Sequence, residues 1–456
     1  MRNLRALLLG LPVLVLPPSQ AADPRGLIES LVACGTRHSL SSWDDPRRGI
    51  GCGRDVVLTR LNKLAAASNG RLTVVVDRFE TSGPRTGDRV VKMQNVYAVL
   101  RGNDPRLAAR AFVLSGHLDS RASDVMDATS DAPGADDDAS GVAVAVLTAE
   151  ALVSRSPLRA TVILAIVSGE EQGLLGAKRM KTWLEQQQFE VGGMITCDIV
   201  GATAGASDKR LRVFSEGGSD GIDSPSRELA RRVEEQAGQE SVRMIFRRDR
   251  LGRGGDHSPF VDAGSPAIRF TEPLEDYRHQ HQNVRVEGET AFGDLTQFLD
   301  FEFIADSARL STRLLADLAD APAPPSAVWI GGEVTPSARL TIEAEPDDAR
   351  GGFEILSRKR PRRVGSCSDA SVQRARLCSI RSQPTTSTSR CERSEKTVRG
   401  RLRCRRDGRT ESLRGRHRGT LEMSARRHGR SVAARAPFIA ARSVCENEQS
   451  ARASQG

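Results

Sequence analysis

The run Thr161–Val167 (TVILAIV) carries no polar side chain after its first position. Alternation is the mark of a strand with one wet face, so an unbroken apolar run of this length predicts a strand covered on both faces. Leu72–Val76, Val96–Leu100, Ala111–Ser115, Met194–Ile199 and Ala267–Phe270 read as further strands, and several of them are apolar nearly throughout. Between them, Val142–Leu152, Leu174–Gln187, Ser226–Gln236 and Asp294–Leu318 carry helical patterning. The alternation predicts an α/β fold: a three-layer αβα sandwich around a mostly parallel mixed sheet.

The chain is not uniform along its 456 residues. Its net charge of +9 belongs to the tail: residues 357–456 hold 26 basic and 8 acidic side chains, a balance of +18, while the first 356 hold 41 and 50, a balance of −9. A basic tail with one aromatic residue, Phe438, and no recognisable module does not make a nucleic-acid-binding protein. Residues 1–22 read as a signal peptide, with Arg2 and Arg5 ahead of an apolar stretch from Leu7 to Leu16 and small residues at Ala21-Ala22. That stretch is too short for a stable membrane anchor, so the expected location is secreted or periplasmic. Such a compartment favours disulfides. Cys34 and Cys52 are able to pair there, whereas Cys197 lies in an apolar run and is expected as a free core thiol.

Residues 23–320 form the expected catalytic domain. A Pro/Ala linker follows at 321–327, and 328–356 look like the opening strands of a small β-sandwich. Residues 357–456 are rich in Arg and Ser and lack sustained periodicity. They are either a disordered basic arm or the product of a reading-frame slip near Leu356; the abrupt change of composition and the sandwich that stops partway favour the slip.

The residues with chemistry follow strands. Ala111–Ser115 runs into Gly-His117-Leu-Asp119, an imidazole with a carboxylate two residues on that can take its second ring N–H. Pro133-Gly134-Ala135-Asp136-Asp137-Asp138-Ala139-Ser140-Gly141 sets three mutually repelling carboxylates before an apolar helix, an arrangement that divalent cations offset. Thr161–Val167 is followed by Ser168-Gly169-Glu170-Glu171, and Asp198 interrupts an apolar strand, which is costly for a carboxylate without a partner. Tyr277-Arg278-His279-Gln280-His281 adds two further imidazoles. Nitrogen and oxygen donors without thiolate suit zinc, with manganese and cobalt as alternatives.

This ordered set resembles peptidase family twenty-eight of the metallo class, of the bacterial leucyl aminopeptidase type, over roughly residues 25–320. The resemblance implies a zinc exopeptidase-like fold with two Zn2+ per chain. His117, Asp198 and a shared Asp137 would hold one ion, and Glu171, Asp137 and His281 the other. Glu170 would be the general base and Asp119 would orient His117. For the last ligand His279 is the alternative: it keeps the family's +4 spacing but puts Asn283 where Asp is usual, whereas His281 keeps a Gln-His pair. Gly255-Asp256-His257-Ser258 resembles a loop flanking the substrate pocket, which makes His257, Tyr277 and His279 candidates for substrate contact. The implied reaction is hydrolysis of N-terminal peptide bonds through a metal-bridging water, with peptide or protein N-termini as partners. A glutaminyl cyclase-like or carboxypeptidase activity on the same fold, or an inactive binding protein, are the alternatives. The pocket preference and the oligomeric state are not legible.

Overall fold

The computed structural model describes residues 23–331 apart from 204, 217–223, 239–240 and 248–253, together with five later strand segments at 337–344, 353–359, 373–377, 417–424 and 430–435. The expected signal peptide, residues 1–22, lies outside the described residues.

In chain order the elements are α1 (Arg25–Val32), α2 (Ile50–Ala67), β1 (Leu72–Thr81), β2 (Val91–Leu100), β3 (Arg110–His117), α3 (Ala139–Val153), β4 (Thr161–Val167), α4 (Leu175–Gln186), β5 (Glu190–Cys197), β6 (Leu211–Phe214), α5 (Pro225–Ala237), β7 (Val242–Ile245), α6 (Ser258–Asp262) and β8 (Ala267–Thr271). A short hairpin, β9 (Arg285–Glu287) and β10 (Thr290–Phe292), precedes α7 (Phe301–Ala319). Strands β1 to β8 form one mixed sheet in the order β1-β2-β4-β3-β5-β8-β6-β7. Its centre is parallel, β4 with β3, β3 with β5 and β5 with β8, while β1–β2, β2–β4 and β6–β8 are antiparallel. The expected mostly parallel mixed sheet with flanking helices is thus the fold.

Two apolar layers cover the sheet. One gathers α1, α2, α3, α5 and α7 against one face, with Ile28, Leu61, Val146 and Leu314 among its buried side chains. The other gathers α4 and α6, through Met180, Trp183, Leu184 and Phe260, against Tyr97, Val113, Ile163 and Ala165. Every residue of β4 is buried, as its unbroken apolar run requires. Helix α3 lies between layers of apolar side chains on all sides and is buried over nearly its whole length. It starts where Asp138 caps it, the carboxylate accepting from Gly141 N–H at 2.9 Å. Gly141 allows this helix to approach the sheet, since a Cβ there would collide with the Cys197 carbonyl oxygen at the end of β5.

The structure departs from the sequence-based expectation in several places. Helix α7 begins at Phe301, not Asp294; Asp300 caps it, and Asp294 instead faces the loop before α3. Helices α1 and α2 precede the first strand and were not anticipated. Beyond the linker, β11 (Ala327–Gly331) and β12 (Ser337–Ala344) pair as a hairpin inside the expected partial sandwich, and β13 (Phe353–Lys359) crosses its expected end. Strands β14 (Gln373–Leu377), β15 (His417–Ser424) and β16 (Arg430–Arg435) pair with β13 or β12 within the stretch read as a disordered or out-of-frame tail. The rest of that stretch lies outside the described residues. Among the described residues no helix is long and apolar enough to cross a membrane.

The close approach of α3 to β5 generates a prediction. Gly141→Ala overpacks a site with no free volume and is expected to lower stability by about 1–3 kcal/mol, read as a lower urea midpoint at unchanged slope. An unchanged midpoint would show that the helix can shift outward at no cost.

Candidate metal centre

The chain leaves β3, crosses one face of the sheet through α3 to β4, then crosses the other face through α4 to β5 on the opposite side of β3. The connections part at the carboxyl end of β3, and such a switch point opens a crevice at the sheet edge. His117 is the last residue of β3, Glu170 and Glu171 follow β4, and Asp198 follows β5. The sheet topology therefore brings four of the sequence candidates to one edge.

The Asp136-Asp137-Asp138 run divides its work. Asp138 turns into the structure: besides capping α3, it accepts the His117 backbone N–H at 2.8 Å. Asp136 accepts the Gly201 N–H at 2.6 Å. Only Asp137 points into the centre. Its Oδ1 lies 3.1 Å from His117 Nε2, and its Oδ2 lies 2.9 Å from His281 Nε2 and 3.2 Å from Gln280 Nε2. Asp198 Oδ1 stands 3.8 Å from His117 Nε2, and Glu171 Oε1 stands 2.7 Å from His281 Nε2. Two groups able to hold a metal ion result, His117–Asp137–Asp198 and Asp137–Glu171–His281, and they share Asp137.

His117 Nδ1 lies 3.0 Å from the main-chain carbonyl of Asp119 and 3.7 Å from its carboxylate. Its ring N–H therefore donates to the carbonyl, and Nε2 presents its lone pair to Asp137 and Asp198. The Asp119 carboxylate accepts from the backbone N–H groups of Glu170 and Glu171 at 3.3 and 3.0 Å. Asp119, the residue expected to orient His117, meets the ring through its main chain, with its carboxylate also within 3.7 Å, and ties the Glu-Glu turn through that carboxylate.

His281 stands in the cluster and His279 outside it, stacked on Phe298 with ring centroids 3.6 Å apart. Tyr277 is half exposed. His257 is buried, with Nε2 4.0 Å from Glu216 Oε1. Four neighbours were not anticipated from sequence. Asp294 accepts the Asp136 and Asp137 backbone N–H groups at 2.8 Å each. Gln280 donates to Asp137, Arg269 Nη2 lies 3.2 Å from Asp198 Oδ1, and a wholly buried Arg37 lies beneath the acidic loop. Each sits more than 70 residues from its partner, and apart from the Gln280-His281 pair no local pattern marks it.

The donor set fits divalent cations. Imidazole lone pairs face carboxylate oxygens, a pairing that is repulsive until a cation sits between them. The residues' own acid–base balance expresses the same demand. Burial opposes charge on His281, but Glu171 and Asp137 outweigh it and lift its pKa to about 10. Burial likewise opposes charge on Asp137, yet His117 and His281 hold its carboxyl well below the usual range. Glu170 behaves in the opposite way: burial, reinforced by Asp198, Glu171 and Asp256 and countered by His117, pushes it well above the usual carboxylate value. Asp256, buried beside Ser115 Oγ at 3.3 Å, is pushed up to about 7 by burial, with His117 opposing and Asp198 adding to the rise.

These shifts fix how the chelated protein should respond to pH. His281 titrates near 10 in the folded chain, above its unfolded value of about 6.5. Its contribution is full below about pH 6.5 and is lost as pH rises towards 10. Asp294, pushed up to about 8 by burial and by Asp136, acts in the same direction because the native chain again holds the extra proton. With chelator present, the melting temperature is expected to be lower at pH 9 than at pH 7. Zinc at pH 9 should reverse the fall, since a bound cation replaces those protons. A melting temperature that rises with pH under chelation would contradict this account.

The model of peptidase family M28 matches residues 95–286. A probable zinc metalloprotease of Leptosphaeria maculans is 40% identical over 363 residues, covering 74% of this chain and 83% of that protein. One of Pyrenophora tritici-repentis is 41% identical over 341 residues, covering 69% and 70%. Among solved structures, LapB from Legionella pneumophila aligns with a TM-score of 0.51 and the LapA aminopeptidase of the same organism with 0.50. Both are 18% identical and cover 66% of this chain and 72% of theirs, a likeness of fold. On sequence kinship over most of a relative's length, with the ligand-rich edge inside the matched region, the chain belongs to peptidase family M28 and is a zinc metallopeptidase.

Proposed function

We propose that the chain is a secreted or periplasmic aminopeptidase working with two zinc ions. The observation that carries this reading is the placement of one carboxylate: Asp137 turns Oδ1 to His117 and Oδ2 to His281, which makes it the residue able to serve two ions at once. His117, Asp198 and Asp137 would hold one ion, and Glu171, His281 and Asp137 the other. When bound, zinc supplies Lewis-acid polarisation of the scissile carbonyl and acidifies the attacking water.

The chain's own residues supply the rest. Glu170, whose backbone N–H is held by Asp119, stands outside both ligand groups yet near enough to His117, Asp198 and Glu171 to feel their charge. It is the general base: it takes the proton from water and returns it to the leaving amine. A carboxyl raised by burial is suited to both halves of that transfer, because its affinity for the proton is closer to that of its partners. Gln280 and Asp294 hold the Asp137 side chain and backbone, and Asp119 holds the turn that carries Glu170 and Glu171. The free α-amine of a substrate would lie against the carboxylates beside the metal ligands, which would restrict cutting to the N-terminus. The Cys34–Cys52 disulfide supports an oxidising compartment, in keeping with the N-terminal residues.

The purified chain is expected to retain about two zinc ions. It should release p-nitroaniline from Leu-p-nitroanilide, lose that activity to a chelator and regain it with zinc. One ion and no release would defeat the proposal. Glu170→Gln should keep both ions and lower kcat by 10²-fold or more, the usual scale for a general base; loss of zinc in this variant would place Glu170 among the ligands instead.

A further inference from the structure

The family-matched region begins at residue 95, yet a side chain far ahead of it lies under the centre. Arg37 is completely buried. Its guanidinium donates from Nε to the Leu118 carbonyl at 2.8 Å, from Nη1 to the Pro133 carbonyl at 2.5 Å and from Nη2 to the Gly134 carbonyl at 2.8 Å. A longer bond of 3.3 Å joins Nη1 to the Leu31 carbonyl. Leu118 lies between His117 and Asp119, and Pro133-Gly134 opens the loop that delivers Asp137. One planar fork thus spans the two segments that place the first imidazole and the shared carboxylate.

The segment around Arg37 is itself fixed to both. Arg37 N–H donates to Ser120 Oγ at 3.1 Å, and that hydroxyl donates to the Ala132 carbonyl at 2.6 Å. Ala132 N–H donates to the Gly35 carbonyl at 2.9 Å. Three residues before Arg37, Cys34 is joined to Cys52 at the start of α2, where Gly53 gives Arg37 its room: a Cβ there would stand 2.7 Å from Arg37 Cδ. Gly134 sits in the left-handed region with φ +53°, and a Cβ on it would stand 2.9 Å from Arg37 Nη2. Glycine thus borders the Arg37 side chain at both ends, Gly53 at its methylenes and Gly134 at its guanidinium.

We propose that Arg37 is a positioning residue of the metal centre: its fork, latched by the Cys34–Cys52 disulfide, sets the distance between His117 and the Asp137 loop and so sets zinc affinity. Burial lowers the pKa of the guanidinium to about 10, and Asp294, Asp138, Asp119 and Asp137 oppose the fall. Lysine would keep that charge, but its three donors diverge from one atom and cannot span both segments. Position and charge are therefore separable.

The inference rests on the two-zinc reading, and one experiment separates the two. Zinc dissociation constants are measured on the full chain by competition with a chromogenic chelator, for the wild type and for Arg37→Lys, Arg37→Met, Gly53→Ala and the Cys34→Ser/Cys52→Ser double variant. Near-UV circular dichroism at saturating zinc reports the fold. Folded Arg37→Lys and Gly53→Ala are expected to bind zinc about 10- to 100-fold more weakly, the usual effect of losing support behind a ligand, and the double variant is expected to follow them. Wild-type affinity in folded Arg37→Lys and Gly53→Ala would overturn the positioning role while leaving the two-zinc reading intact. A loss in Arg37→Met that Arg37→Lys fully restores would also overturn it, since charge alone would then suffice. A wild type that binds no zinc would overturn both readings together.

Discussion

Asp137 meets an imidazole with each of its carboxylate oxygens, and most of what surrounds the centre exists to keep it there. A carboxylate crowded by Asp198, Glu171 and Glu170 would be pushed away from them or would take up a proton. Here it is held from three directions. Asp294 grips its backbone, Gln280 its outer oxygen, and Asp138, one residue on, is sunk into the cap of α3. None of these contacts is strong in itself; a net hydrogen bond is worth about 1 kcal/mol. Their value lies in direction, because they remove the rotations by which the carboxylate would escape its neighbours.

The sheet supplies the other half of the constraint. In β3, β4 and β5 the metal-ligand candidates stand at or just past the carboxyl ends, where the chain leaves the apolar layers. The order β4-β3-β5 then collects those ends around one crevice. The glycine at 141 matters to this placement as much as the charged residues do: only without a Cβ can α3 lie on the end of β5, and the position of α3 determines where the loop before it points.

The segment before the first strand has a place in the same arrangement. Helices α1 and α2 add apolar cover to one face of the sheet, and the stretch between them passes beneath the acidic loop with Arg37 and the disulfide. A cation wholly out of water is tolerated there because four carbonyls and several carboxylates replace its hydration.

Read alone, the sequence determined the α/β class, most of the central strands and the kinds of residue at their ends, because strand burial and motif spacing are local properties written in consecutive positions. Helices α1 and α2 and the short strands β6 and β7 escaped notice, being weakly patterned or at the sheet's margin. Of three adjacent aspartates only the family resemblance singled out Asp137; packing made one the cap of α3, one a partner of Gly201 and one the centre of the site. Likewise the Gln-His pair favoured His281 over His279, and the fold sets them apart in space, where one meets Asp137 and the other stacks on Phe298. Arg37, Arg269 and Asp294 left no trace in local sequence, since each acts on a residue that only the folded chain brings to it. Metal-binding chemistry is carried by residue types, which a sequence displays directly. The aim of each side chain is set by contacts between distant segments, and those come into being only with the tertiary structure.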